Sequence, residues 1–115
     1  MNINIMGTQL ELTPAIKEYI EEKIGSCSDI VSRFEKDGEI TAFCELARTT
    51  KHHTHGDVYY AEVTLGLPGK TICVDAESSD ARAAIDDVKD LLKLELRKYK
   101  EKTLAKTVRK DKREE

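Results

Sequence analysis

The stretch AIDDVKDLLKLELRKYKEK, residues 84–102, constrains this chain more than any other. Ala81, Ile85, Val88, Leu92, Leu96 and Tyr99 recur at steps of three and four. That is the period at which helical side chains stack into one apolar stripe. A stripe this long must be buried, so the rest of the chain has to supply a matching apolar surface. One position beyond each stripe residue, a second series stands: Arg82, Asp86, Lys89, Lys93, Arg97 and Lys100. One residue is about 100° of rotation, so this series forms a flank beside the buried stripe. Five of its six members are basic.

The matching surface is legible upstream. Residues 40–47 set Ile40, Ala42, Cys44 and Leu46 against a second, more polar face. In 58–67, Tyr59, Ala61, Val63 and Leu65 alternate with Tyr60, Glu62 and Thr64; in 70–77, Ile72, Val74 and Ala76 alternate with Thr71, Cys73 and Asp75. A period of two with one apolar face is the pattern of strands covered on one side only. Pro68-Gly69 is a tight turn that pairs the last two strands as an antiparallel hairpin. Residues 2–6 alternate around Ile3 and Ile5 and read as a further short strand ending at Gly7. Thr13-Pro14 is a helix start, with Thr13 as cap and proline at the first helical position. Ile16, Tyr19, Ile20, Lys23 and Ile24 continue at helical spacing to a stop at Gly25. Around Ile30, Val31 and Phe34 the pattern fits either a further helical turn or a packed loop. Ser78-Ser79-Asp80 caps the long helix. The predicted architecture is α+β, in the order β-α-β-β-β-α: a four-stranded sheet with two helices packed on one face.

With 115 residues, the chain is long enough for one modest core. No apolar run approaches the roughly 20 residues of a spanning helix, and the N-terminus lacks the basic and apolar regions of a secretory signal. The expected setting is cytoplasmic. The three cysteines, Cys27, Cys44 and Cys73, form no CxxC pair and are expected to be buried or half-buried reduced thiols.

Net charge is −3, but the charge is unevenly spread. Residues 89–113 carry eleven basic and four acidic side chains, a net of +7, whereas residues 1–88 carry eight basic and sixteen acidic ones. A bipolar domain with one concentrated positive region can bind a polyanion locally. Beyond about residue 104 the apolar periodicity is lost. Residues 1–103 therefore read as the folded domain and 104–115 as a charged, disordered tail.

The loop RTTKHHTHGD, residues 48–57, contains His52, His53 and His55. It reads as a solvated hairpin loop, as a nucleic-acid contact through Arg48, Lys51, His52 and His53, or as a small metal-responsive site. A structural zinc site wants about four ligands, and no cysteine is near in sequence. No nucleophile elbow, P-loop, dinucleotide fingerprint or HExxH occurs. The adjacent acids Asp86-Asp87 and Glu21-Glu22 diverge on a helix, so neither pair is an acid–base site. Neither an enzyme, a cofactor nor a bound metal is expected.

Three stretches together resemble a known family. MNINIMGTQLELTPAIKEYIEEKI, YYAEVTLGLPGKTICVDAESSDARAAIDD and LELRKYKEK are similar to the ribosome hibernation-promoting factors, also called ribosome-associated inhibitors or ribosomal subunit interface proteins. The likeness covers most of residues 1–103 and implies the same β-α-β-β-β-α fold. It further implies a non-enzymatic stress factor that occupies the mRNA/tRNA channel of the small ribosomal subunit, blocks translation and preserves idle ribosomes. Small subunits and whole ribosomes would be its partners, with no membrane or small-molecule substrate, and it would be monomeric off the ribosome. Lys23, Lys89, Arg97, Lys98, Lys100 and Lys102 match family positions that contact rRNA; Lys93 extends the stripe by geometry. The chain resembles the short form, without a dimerising second domain. Two positions depart from the pattern. Arg82 stands where an aromatic is usual, and Leu94 where a basic or polar residue is, filling a local contact or weakening the rRNA face. A free double-stranded-RNA-binding domain is the alternative, since α-β-β-β-α with a basic last helix is its outline; the extra first strand and the missing lysine cluster at Ser79-Asp80-Ala81-Arg82 count against it.

Overall fold

Alternation in the middle of the chain produces three strands that pair consecutively: β2 (Thr41–Thr49), β3 (Val58–Leu67) and β4 (Lys70–Ser78). In this computed structural model, residues 1–36, 38–49 and 58–114 are described, with side chains as far as residue 103. Both pairings are antiparallel, and the second keeps Leu67 opposite Lys70. Gly69 closes that turn at φ +77°, the left-handed value that a type II turn demands after proline.

The first strand, β1 (Asn2–Thr8), joins at the other edge and runs parallel to β2, so the sheet order is β1-β2-β3-β4. Parallel neighbours cannot be joined by a hairpin; the chain must cross over one face of the sheet. The crossover consists of α1 (Pro14–Gly25) and a short α2 (Ser28–Ser32). Thr13 caps α1 as its spacing predicts, its hydroxyl accepting the Ile16 N–H at 3.2 Å. Gly25 ends the helix without a left-handed residue. The chain turns at Ser26 in a right-handed conformation, and the Ser26 hydroxyl donates to the Lys23 carbonyl at 2.6 Å. The uncertain segment after it is a separate one-turn helix, with Val31 fully buried.

The long helix, α3, spans Ala81–Glu114. The Asp80 side chain accepts the Arg82 N–H at 3.3 Å and caps it. Of the six stripe residues, Ile85, Val88, Leu92 and Leu96 are buried and Ala81 and Tyr99 half-buried. They pack against the inward faces of β3 and β4, and Ala84 lies among them. The far end of the stripe is fixed by Tyr99, whose hydroxyl donates to the Pro68 carbonyl at 2.7 Å. Its ring meets Phe34 edge-on, with centroids 4.8 Å apart. The helical backbone of α3 continues past residue 103; the side chains of the expected tail, 104–115, lie outside those described.

The opposite face of the sheet is open. Phe43 and Met6 are more than half exposed there, and Glu45, Glu62 and Asp75 stand directly opposite one another across β2, β3 and β4. Cys73 shares this face and is exposed, in contrast to the shielded thiol expected. Its strand position, alternating with Ile72 and Val74, sends it away from the helices. Cys27 and Cys44 are buried, and burial pushes the Cys44 thiol up to about 12, so it stays an unreactive apolar filler.

Glu35 ties the strand edge to the crossover. Its carboxylate accepts the Ile40 N–H at 2.8 Å and the Met1 α-ammonium at 3.3 Å. The Ile40 bond, reinforced by the ammonium, holds its pKa below the usual carboxylate value. A depressed folded-state pKa contributes stability above the unfolded value, about 4.3 for Glu, and loses it as pH falls through the folded one. Urea midpoints of the parent should therefore fall as pH drops from 5 to 3, and Glu35→Gln should flatten that dependence. Identical pH profiles would show that Glu35 does not supply it.

Candidate nucleic-acid interface

The apolar stripe of α3 lies on the sheet, and this orientation turns the adjacent flank toward α1. The two helices meet through Tyr19 and Asp86, whose side chains form a 2.6 Å hydrogen bond with the tyrosine hydroxyl donating. Around that bond the structure brings together four of the residues singled out by sequence. The Lys23 ammonium lies 5.3 Å from the Tyr19 ring centroid, and the Arg82 guanidinium carbon 5.6 Å from it, both within cation–π range. Lys89 pairs with Asp90 at 2.7 Å. That bond, with the fields of Lys93 and of Lys23 from the other helix, holds the Asp90 carboxyl below its usual range. Lys23 from α1 and Lys89 and Lys93 from α3 thus act on a single carboxylate. Lys23, Lys89 and Lys93 are half-buried: their stems lie along the helix contact while the charges reach solvent.

Arg97 and Lys100 continue the same flank along α3, Arg97 exposed and Lys100 half-buried. At 1.5 Å per residue the flank from Arg82 to Lys100 is about 27 Å long. Lys98 and Lys102 are not part of it. Each is more than 90° further round the helix and exposed, and Lys98 also pairs with Glu95 at 3.4 Å. Leu94 and Leu91 lie on the side of α3 away from the sheet at 45% and 40% exposure, so Leu94 fills no internal contact. Arg82, the other departure, keeps an aromatic contact after all, because the ring is supplied by Tyr19 on α1.

Arg48 is exposed near the end of β2. Lys51, His52, His53 and His55, the remaining loop candidates, lie outside the described residues. Among the described residues, no three His, Cys, Asp or Glu side chains converge as a metal site would require, and no helix is long and apolar enough to cross a membrane.

Tyr19 and Asp86 join the two helices at this face, and periodicity does not reveal that pairing. Tyr19 reads as one more apolar helix position, and Asp86 as the odd acid in a basic series. The signal available was that both sit on helix flanks, at i−4 from Lys23 and i+4 from Arg82. The bond to Asp86 pushes the Tyr19 hydroxyl up to about 12, aided by desolvation and the Asp86 charge, so it remains a donor near neutrality.

The fold and this face define a class: a small α+β domain with a cationic surface built from two helices and an anionic open sheet. Residues 3–104 match the family described as Sigma 54 modulation protein / S30EA ribosomal protein, and the chain belongs to that family. A ribosome hibernation promotion factor of Lactococcus lactis is 35% identical over 103 residues, which cover 87% of this chain and 50% of that protein. A ribosome hibernation promoting factor of Azotobacter vinelandii is 34% identical over 104 residues, 90% of this chain and 87% of the relative. The chain thus spans about half the length of the first relative and most of the second. Among solved structures, the N-terminal domain of Thermus thermophilus Protein Y superposes with a TM-score of 0.68 at 33% identity, covering 86% of this chain and 99% of that domain. A ribosomal subunit interface protein from Coxiella burnetii gives the same TM-score at 26% identity, covering 87% and 98%.

Proposed function

We propose that this chain is a ribosome-binding hibernation factor that occupies the mRNA/tRNA channel of the small subunit, inhibits translation there and preserves idle ribosomes. The observation that carries the reading is the cationic flank. Lys23, Arg82, Lys89 and Lys93 gather where α1 meets α3, and Arg97 and Lys100 extend the line along one helix. A row of cations on a rigid helix suits the phosphate backbone better than a specific base sequence. The family supports the assignment, since the relatives are hibernation factors by name. The opposite face supports an orientation: Glu45, Glu62 and Asp75 would be repelled by rRNA, so the helices face the channel wall. Residues 1–103 carry the contact surface, and the basic residues of the tail add to the attraction. The mechanism is electrostatic and steric, in the cytoplasm, by a monomer without cofactor or chemical step.

Sedimentation of the purified protein with ribosomal subunits across a salt series tests this. Co-migration with small subunits and whole ribosomes should be lost steeply as salt rises. Binding to free duplex RNA without co-migration would instead favour a general double-stranded-RNA-binding domain.

A further inference from the structure

An acid in the middle of a phosphate-binding flank is a liability unless something occupies it. Asp86 lies four residues beyond Arg82 and three before Lys89 on α3, spacings at which helical side chains meet. Left alone, its carboxylate would pair with one of them and cancel a cation. Instead it accepts the Tyr19 hydroxyl at 2.6 Å, and among the described residues the Arg82 guanidinium has no ion pair. The same tyrosine gathers the cations of both helices. Lys23 and Arg82 lie 5.3 and 5.6 Å from its ring centroid, so their charged centres are no more than about 11 Å apart. Asp86 also lies within electrostatic reach of Lys89, whose ammonium is already paired with Asp90, so Arg82 is the cation its occupancy protects.

We infer that Tyr19 is the positioning residue of a phosphate clasp: by holding Asp86 it keeps Lys23 and Arg82 available to close on the sugar–phosphate backbone of one RNA strand across the α1–α3 contact. The clasp depends on both helices, because the hydroxyl comes from α1 and the acid from α3. It is also particular to the pairing of Tyr19 with Arg82, since an aromatic at position 82 would leave no cation there to protect. The inference rests on the ribosome-binding reading and adds to it a residue that touches no phosphate itself.

The test is the same salt-series sedimentation with small subunits, applied to full-length variants whose folding is checked by circular dichroism. Tyr19→Phe keeps the ring and removes the hydroxyl. It should weaken binding about threefold to tenfold at 0.1 M salt and lower the salt slope by up to about one, the worth of one phosphate contact. Adding Asp86→Asn removes the released charge and should restore parental affinity and slope, which a packing defect would not allow. Arg82→Gln gives a second reading: it should cost a full contact in the parent and little in the Tyr19→Phe background, where Arg82 is already neutralised. Parental binding by Tyr19→Phe, no rescue by Asp86→Asn, or no effect of Arg82→Gln in the parent would each overturn the clasp while leaving ribosome binding in place. A parent that does not sediment with subunits would overturn both.

Discussion

Leu92→Ala will destabilise the fold by about 3.5 kcal/mol, the middle of the range for a fully buried leucine whose neighbours close only partly over the cavity. Leu92 has no exposed surface and sits at the centre of the stripe, with Val88 and Leu96 one turn away on either side. Around it are the inward residues of β3 and β4, held in a hydrogen-bonded sheet that cannot collapse freely into the space. Leu94→Ala is the control. It lies two residues away, but at 45% exposure it should change stability by less than about 0.5 kcal/mol. Urea denaturation of the two variants at one pH measures the contrast. Equal losses, or a larger loss at Leu94, would mean that the helix is seated in a different rotation from the one described.

The second large effect is on binding. Lys93→Glu with Arg97→Glu should reduce affinity for the small subunit on the order of a hundredfold at 0.1 M salt. Each phosphate contact contributes about 0.9 to the salt slope, close to a factor of ten at that concentration, and reversal adds repulsion to the loss. The slope should fall by about two. Lys93 and Arg97 are one turn apart on the flank that faces α1, and neither side chain is buried, so the fold should be little affected. Lys98→Glu with Lys102→Glu makes the same change in net charge off that flank and should cost markedly less. If the two double variants lose affinity equally, total charge governs binding and the flank has no special standing. If the first pair binds like the parent, the interface lies elsewhere.

The two pairs also show where a sequence stops being informative about a site. Lys98 and Lys102 are as basic as Lys93 and Arg97, and resemblance to a family groups Arg97 with both of them. Helical rotation separates them, and only the seating of α3 on the sheet says which side looks toward α1. Tyr19 is a sharper case. Its distance from Asp86 along the chain is 67 residues, and no periodicity within either helix marks the partner. Arg82 looked like the loss of an aromatic contact; in space the aromatic is present, contributed by the other helix. The short α2 escaped assignment for a related reason. One turn of helix makes few hydrogen bonds of its own, and Val31 holds it in place by tertiary burial.

What the sequence determined by itself was everything carried by a local period. The 3.6-residue repeat specified α3 and its buried stripe, the two-residue repeats specified the inward faces of β2, β3 and β4, Pro68-Gly69 specified their last turn, and Thr13-Pro14 specified where α1 begins. Each of these is a relation among residues a few positions apart, set by backbone geometry and side-chain stereochemistry. The tertiary structure alone decided that β1 runs parallel to β2 at the sheet edge, that α1 and α3 meet flank to flank, and that Tyr19 and Asp86 join there among Lys23, Arg82, Lys89 and Lys93. Those relations depend on how two amphipathic helices share one apolar sheet face, a packing problem whose answer is written in no single stretch of the chain.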